Sequence, residues 1–152
     1  MHKLFRNSAS LKNLVKLRSS DYSPVLHLRI NHELRRQLNL PEGYGGPGSK
    51  VLKALKHGHE EEYFDEKLNA ENYILQKVID ESLQSKVLIT RSKRVLHHEL
   101  LPVVPELIIH TNAGFTKSEI EYAFSVIEAA IVDNLTGLSL QKFNQIANSL
   151  TF

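Results

Sequence analysis

Leu107-Ile108-Ile109-His110-Thr111 is followed, four residues later, by Thr116-Lys117-Ser118-Glu119 and the run Ile120 to Asn134. The first stretch is short and rich in branched side chains, which suits a pleated, half-buried strand. The second opens with a capping box. The Thr116 hydroxyl can accept from the amide three residues on, and Glu119 can reach back to the Thr116 amide. Ile120, Ala123, Phe124, Ile127, Ala130 and Ile131 then recur at helical spacing as one apolar stripe. A strand leading directly into a one-sided helix is the core unit of an α+β layer.

Working outward, Gly137 is placed to end that helix in the left-handed conformation. Ser139 can cap a last helix, whose stripe is Leu140, Phe143, Ile146, Ala147 and Leu150. Upstream, Val87-Leu88-Ile89-Thr90 is a short strand candidate, and Pro102 and Pro105 frame a turn. Residues 67–85 keep helical spacing, with Leu68, Leu75, Val78, Ile79 and Ser82 on one face. Val25 to Ile30 alternates at period two and reads as a strand. Residues 2–17 read as a basic amphipathic helix through Leu4, Leu11, Leu14 and Val15, ended by Ser23-Pro24.

Residues 31–66 are less regular. Asn31 to Asn39 carries a weak helical pattern. Pro41 to Gly48 holds four Gly and two Pro in eight residues, which requires a loop. The whole block is long for a connection inside a compact domain and reads as a partly disordered insertion. The resulting order is helix, strand, insertion, helix, strand, strand, helix, helix. It predicts a small α+β domain, an open sheet with helices packed on one face.

Composition bounds the function classes. The chain has 152 residues and no cysteine, which excludes a disulfide scaffold, a thiolate metal site and a cysteine nucleophile. Its net charge of +2 is too small to argue for nucleic acid, and no apolar run approaches the roughly 20 residues that span a bilayer. Charge is nevertheless unevenly spread. Residues 1–36 carry eight Lys/Arg and two Asp/Glu, residues 59–81 carry eight acids and two bases, and residues 86–98 carry four bases and no acid. Such blocks are mostly solvated faces, and they can also mark interaction surfaces.

Motifs for chemistry are weak. His57-Gly58-His59 beside Glu60, Glu61 and Glu62 resembles half a metal site but lacks a rigid second pair. His97-His98-Glu99 lacks a third ligand at helical spacing, and His27 and His110 read as sheet residues. Gly43-Tyr44-Gly45-Gly46-Pro47-Gly48-Ser49-Lys50 departs from the phosphate-loop order, and no strand precedes it. No nucleophile elbow or carboxylate pair stands out. No catalytic, cofactor-binding or metal-ligating residue is therefore assigned.

Four ordered stretches add a resemblance. They are Ser23 to Leu28, Ser85 to Arg91, Leu101 to Thr111, and Phe115 to Ile120. In this order and spacing they resemble the C-terminal part of the α-oxoamine synthases, and within them the non-catalytic, first long-chain-base subunits of serine palmitoyltransferase. These are pyridoxal-phosphate enzymes of the aminotransferase fold, fold type I. The resemblance covers residues 1–135, with 31–66 as a lineage-specific insertion. It implies that residues 1–22 are the end of an interdomain helix and a linker, 23–135 the small C-terminal α+β domain, and 136–152 a C-terminal helix.

The resemblance also implies a function. The parent complex condenses L-serine with palmitoyl-CoA to 3-ketosphinganine, in sphingolipid synthesis at the cytosolic face of the endoplasmic reticulum. Pyridoxal phosphate would be held by the catalytic second long-chain-base subunit, the expected partner. The family's Schiff-base lysine and membrane segment lie upstream of anything here, so the chain reads as a fragment, inactive and soluble by itself. Catalytic relatives carry an arginine before the Thr-capped helix that pairs with the substrate carboxylate. Gapless spacing from Pro105 to Thr116 puts Ile108 at that place, and isoleucine cannot make that pair. The alternatives are an independent docking or regulatory domain and a fragment of a catalytic α-oxoamine synthase. Among the lysines, Lys50, Lys53, Lys56, Lys86 and Lys93 are candidates by residue type alone, and none is expected to form a Schiff base.

Overall fold

A computed structural model describes residues 1–57, 65–93 and 102–150, and only the backbone of Val51, Ala54 and Leu55. His59 to Glu62 and His97 to Glu99 lie outside the described residues. The elements run α1 (His2–Asn7), β1 (Val15–Leu17), β2 (Val25–Ile30), α2 (His32–Gln37) and α3 (Lys50–Lys56). They continue through α4 (Glu66–Gln84), β3 (Thr90–Arg91), β4 (Leu107–His110), α5 (Lys117–Leu135) and α6 (Leu140–Ser149). The domain is α+β, as the sequence predicts. Its open sheet has the order β1-β2-β4-β3, with every neighbouring pair antiparallel.

The register explains the alternation in β2. Leu26 pairs with Ile109 and Leu28 with Leu107, and all four are buried on one face of the sheet. Period two then sends Val25, His27 and Arg29 to the opposite face, where each is half-buried. The buried face joins Ile74, Leu75 and Val78 of α4, Ile127 and Ile131 of α5, and Phe143 of α6 in one cluster. Helices thus cover one face of the sheet.

The helix ends follow their local chemistry. The Thr116 capping box is complete, Asp65 and Ser139 cap α4 and α6, and Gly137 has a positive φ of 68° just past α5. The α5 stripe is buried at Ile127, Ala130 and Ile131 and half-buried at its start. In α6, Phe143 and Ala147 are buried and Leu140 is exposed.

Two expectations are corrected. Residues 2–17 are not one helix. The helix stops at Asn7, a turn follows, and Val15 to Leu17 pairs with Leu28 to Ile30 as an edge strand. Leu11 and Val15, which suggested a helical stripe, are buried by that turn and strand instead. The strand expected over Val87 to Thr90 is confined to Thr90 and Arg91. Lys86 takes a positive φ of 62° at the end of α4, so the chain re-enters extended geometry late.

Part of the 31–66 block is anchored to the core. Leu34, Leu38, Leu40 and Tyr44 are buried. Arg35 is buried too, forming an ion pair with Glu71 of α4 and donating to the Pro41 carbonyl at 2.7 Å. The Tyr44 hydroxyl donates to the other Glu71 oxygen at 2.7 Å. A buried charge demands a full set of partners. Here α2, the Gly/Pro loop and α4 supply them together.

Candidate functional site

The uncovered face of the sheet gathers the chemistry-bearing side chains that alternation turns away from the core. Lys16 lies opposite Arg29 and His27 opposite Ile108, with Thr90 beyond Ile108 on the edge strand. Glu106 sits just before β4, held by backbone bonds to Ser92: its amide donates to the Ser92 hydroxyl and its carbonyl accepts from the Ser92 amide.

Its carboxylate organises the face. Arg29 donates from Nε at 3.0 Å and from a terminal nitrogen at 2.7 Å to one oxygen. Arg18 approaches the same oxygen at 3.6 Å, and His27 Nδ1 lies 3.1 Å from the other. Glu106 is largely covered by these groups, its side chain only 14% exposed. So many donors occupy its lone pairs that it is poorly placed to take a substrate proton. The cluster is a fixed charged rib on a half-buried surface. Ile108 and Val25 put apolar surface beside it.

The sequence candidates scatter. His27 joins the rib. His110 is exposed at the end of β4 opposite Val25. Ile108 stands on the open face, directly opposite His27. Among the described residues, no group of three or more His, Cys, Asp or Glu is placed to hold a metal ion. The Gly/Pro loop is held by Tyr44, and α3 follows it without a strand before it.

The lysines do not fit a pyridoxal phosphate site. That chemistry needs an unprotonated amine next to a phosphate cradle. Lys50 is exposed and lies 3.4 Å from Glu66. Lys53, Lys56, Lys86 and Lys93 are exposed. Lys67 spends its amine on the Asn39 carbonyl at 2.7 Å. No described lysine is buried.

Sequence reading missed Glu106. The available signal was two-sided: β2 alternates His27 and Arg29 on one face, which calls for an acid on the neighbouring strand. The neighbour itself is set by tertiary pairing, so nothing local pointed to Glu106.

A second face carries apolar exposure. Leu88, Phe115 and Tyr122 are exposed around a cavity of about 270 Å³ between the end of α4 and the start of α5. Among the described residues, no single helix is long and apolar enough to cross a membrane.

No family model matches the chain. The chain is 32% identical over 134 residues to serine palmitoyltransferase 1 of Saccharomyces cerevisiae. The match takes in 87% of this chain and spans about a quarter, 24%, of that relative's length. The resemblance carried by the ordered stretches is therefore found by direct comparison as well, and this chain is similar over most of its length to one part of serine palmitoyltransferase 1.

Proposed function

We propose that this chain acts in sphingolipid synthesis as the small C-terminal domain of a serine palmitoyltransferase subunit. In this reading it is the non-catalytic subunit and works by association with the catalytic one. The observation that carries the reading is the similarity to serine palmitoyltransferase 1 across 87% of the chain. The placement of Ile108 supports the non-catalytic part. Ile108, the position to which the resemblance assigns a catalytic relative's carboxylate-binding arginine, is apolar and lies on the open sheet face.

The parent reaction condenses L-serine with palmitoyl-CoA, releasing carbon dioxide and CoA. Pyridoxal phosphate, bound by the partner, supplies the carbanion stabilisation. This chain contributes surface. The Glu106 rib holds His27 and Arg29 in place before binding, so less side-chain entropy is lost on docking. Polar groups around an apolar patch are a common interface composition. The cytosolic face of the endoplasmic reticulum follows as the site of action of such a complex.

The test is co-expression of this chain with the catalytic subunit, affinity purification, and borohydride trapping in the presence of pyridoxal phosphate. Co-purification, with the label confined to the partner, is expected. Failure to co-purify would remove the association. Stoichiometric labelling of one lysine on this chain at low cofactor concentration would overturn the non-catalytic assignment.

A further inference from the structure

We propose that a basic pocket between β1, the end of β2 and α2 is a binding site for a phosphomonoester dianion. The pocket encloses about 450 Å³. Lys16, Arg18, Arg29, His32 and Arg36 line it, and Glu42 is the one acid of the lining.

Two observations carry the assignment. First, the cations are only partly compensated. Arg18 and Arg29 share one carboxylate, Glu106, and among the described residues no ion pair involves Lys16. Arg36 meets Glu33 at 3.3 Å, and His32 lies 3.7 Å from Glu42, in pairs whose side chains are more than half exposed. Solvent screens such pairs heavily. Arg35, also in the lining, is spent on Glu71 and contributes no free charge.

Second, Lys16 and Arg29 face each other across the β1–β2 ladder. Like charges directly opposite on one sheet face destabilise the pair. Arg29 donates to Glu106, and Lys16, which also lines the pocket, has no acid paired with it among the described residues. A dianion seated between Lys16, Arg18 and Arg36 supplies the missing negative charge. The planar guanidinium fork of arginine can meet two oxygens of a tetrahedral phosphate, and lysine acts as a point charge.

This chemistry has two sources, a soluble phosphomonoester and the headgroup of an acidic lipid. The experiment separates them. One arm measures Tm of the chain against inorganic phosphate at constant ionic strength, with chloride as the balancing salt. The other measures co-flotation with phosphatidylcholine vesicles with and without phosphatidic acid. We expect a saturable rise in Tm with phosphate that chloride does not reproduce.

Lys16→Gln is expected to weaken the phosphate response about tenfold, the order of one charge-assisted hydrogen bond. It should also raise Tm without phosphate, because the cross-strand repulsion is gone. Arg36→Gln, at an exposed position, should weaken the response without altering the fold, and Glu42→Gln should strengthen it. Flotation with phosphatidic acid, competed by phosphate, assigns the lipid source. A phosphate response without flotation assigns the soluble one. No response in either arm overturns the site, as does an unchanged response in both Lys16→Gln and Arg36→Gln.

Discussion

Glu71 is fully buried in the second turn of α4, and its two oxygens are divided between Arg35 and Tyr44. Burial pushes the Arg35 guanidinium below its ordinary range, while the Tyr44 oxygen opposes that shift. The pair is therefore held together by need as much as by attraction. Removing one partner strands the other in a medium that cannot solvate it. We predict that Glu71→Gln costs about 3–5 kcal/mol, the penalty of an uncompensated buried charge. Tyr44→Phe should cost only about 1–2 kcal/mol, because it deletes a donor and leaves the ion pair in place. Urea unfolding of the two variants checks both the size and the order. Equal losses would mean that the loop anchor, not the charge, carries the stability. The sequence did not foretell this triad. Arg35, Tyr44 and Glu71 are 36 residues apart end to end and share no motif. The Gly and Pro around Tyr44 signal a loop but not what that loop is tied to.

The helices show the opposite case, because their boundary signals are local. The Thr116 to Glu119 box spans one turn, and each of its bonds joins residues three apart. It was readable in full for that reason, as were the Ser139 cap and Gly137. The β1 strand was not. Three residues carry no usable period, and their extended form depends on pairing with Leu28 to Ile30. The same chemistry that made α5 legible gives it a pH dependence. The Glu119 carboxyl is held below its ordinary value by hydrogen bonds from the Thr116 amide first and the Thr116 hydroxyl second. A folded-state value below the unfolded one means that the contribution is complete above the unfolded value, near pH 4.3. It is lost as pH falls through the lower, folded value. Glutamine keeps a capping acceptor but cannot titrate. We therefore expect Glu119→Gln to change stability little at neutral pH and to flatten its decline in acid. A variant whose acid decline matched the parent's would exclude Glu119 as its source.

At the scale of the whole molecule, the question is whether residues 1–22 are a tether or part of the domain. Resemblance to fold type I enzymes made them the end of an interdomain helix and a linker. The packing is what such an expectation cannot supply. Phe5 and Leu11 are buried, and the Phe5 ring meets Phe124 of α5 edge to face with centroids 5.0 Å apart. Ser8 and Ser10 donate to Glu128 of the same helix at 2.5 and 2.6 Å. The segment then crosses to the far edge of the sheet as β1, so it touches both layers that the core joins. A tether would unfold without disturbing the rest. A structural segment would share one cooperative transition with α4 and α5. Leu11→Ala separates the two. Leu11 is 1% exposed, like Leu28 at the sheet centre. If the segment is integral, truncating either leucine leaves a cavity and costs about 2–5 kcal/mol. Both variants should then unfold in a single transition at lower urea, with unchanged slope. A tether predicts that Leu11→Ala stays within about 0.5 kcal/mol of the parent, as for a surface change, while Leu28→Ala still pays in full.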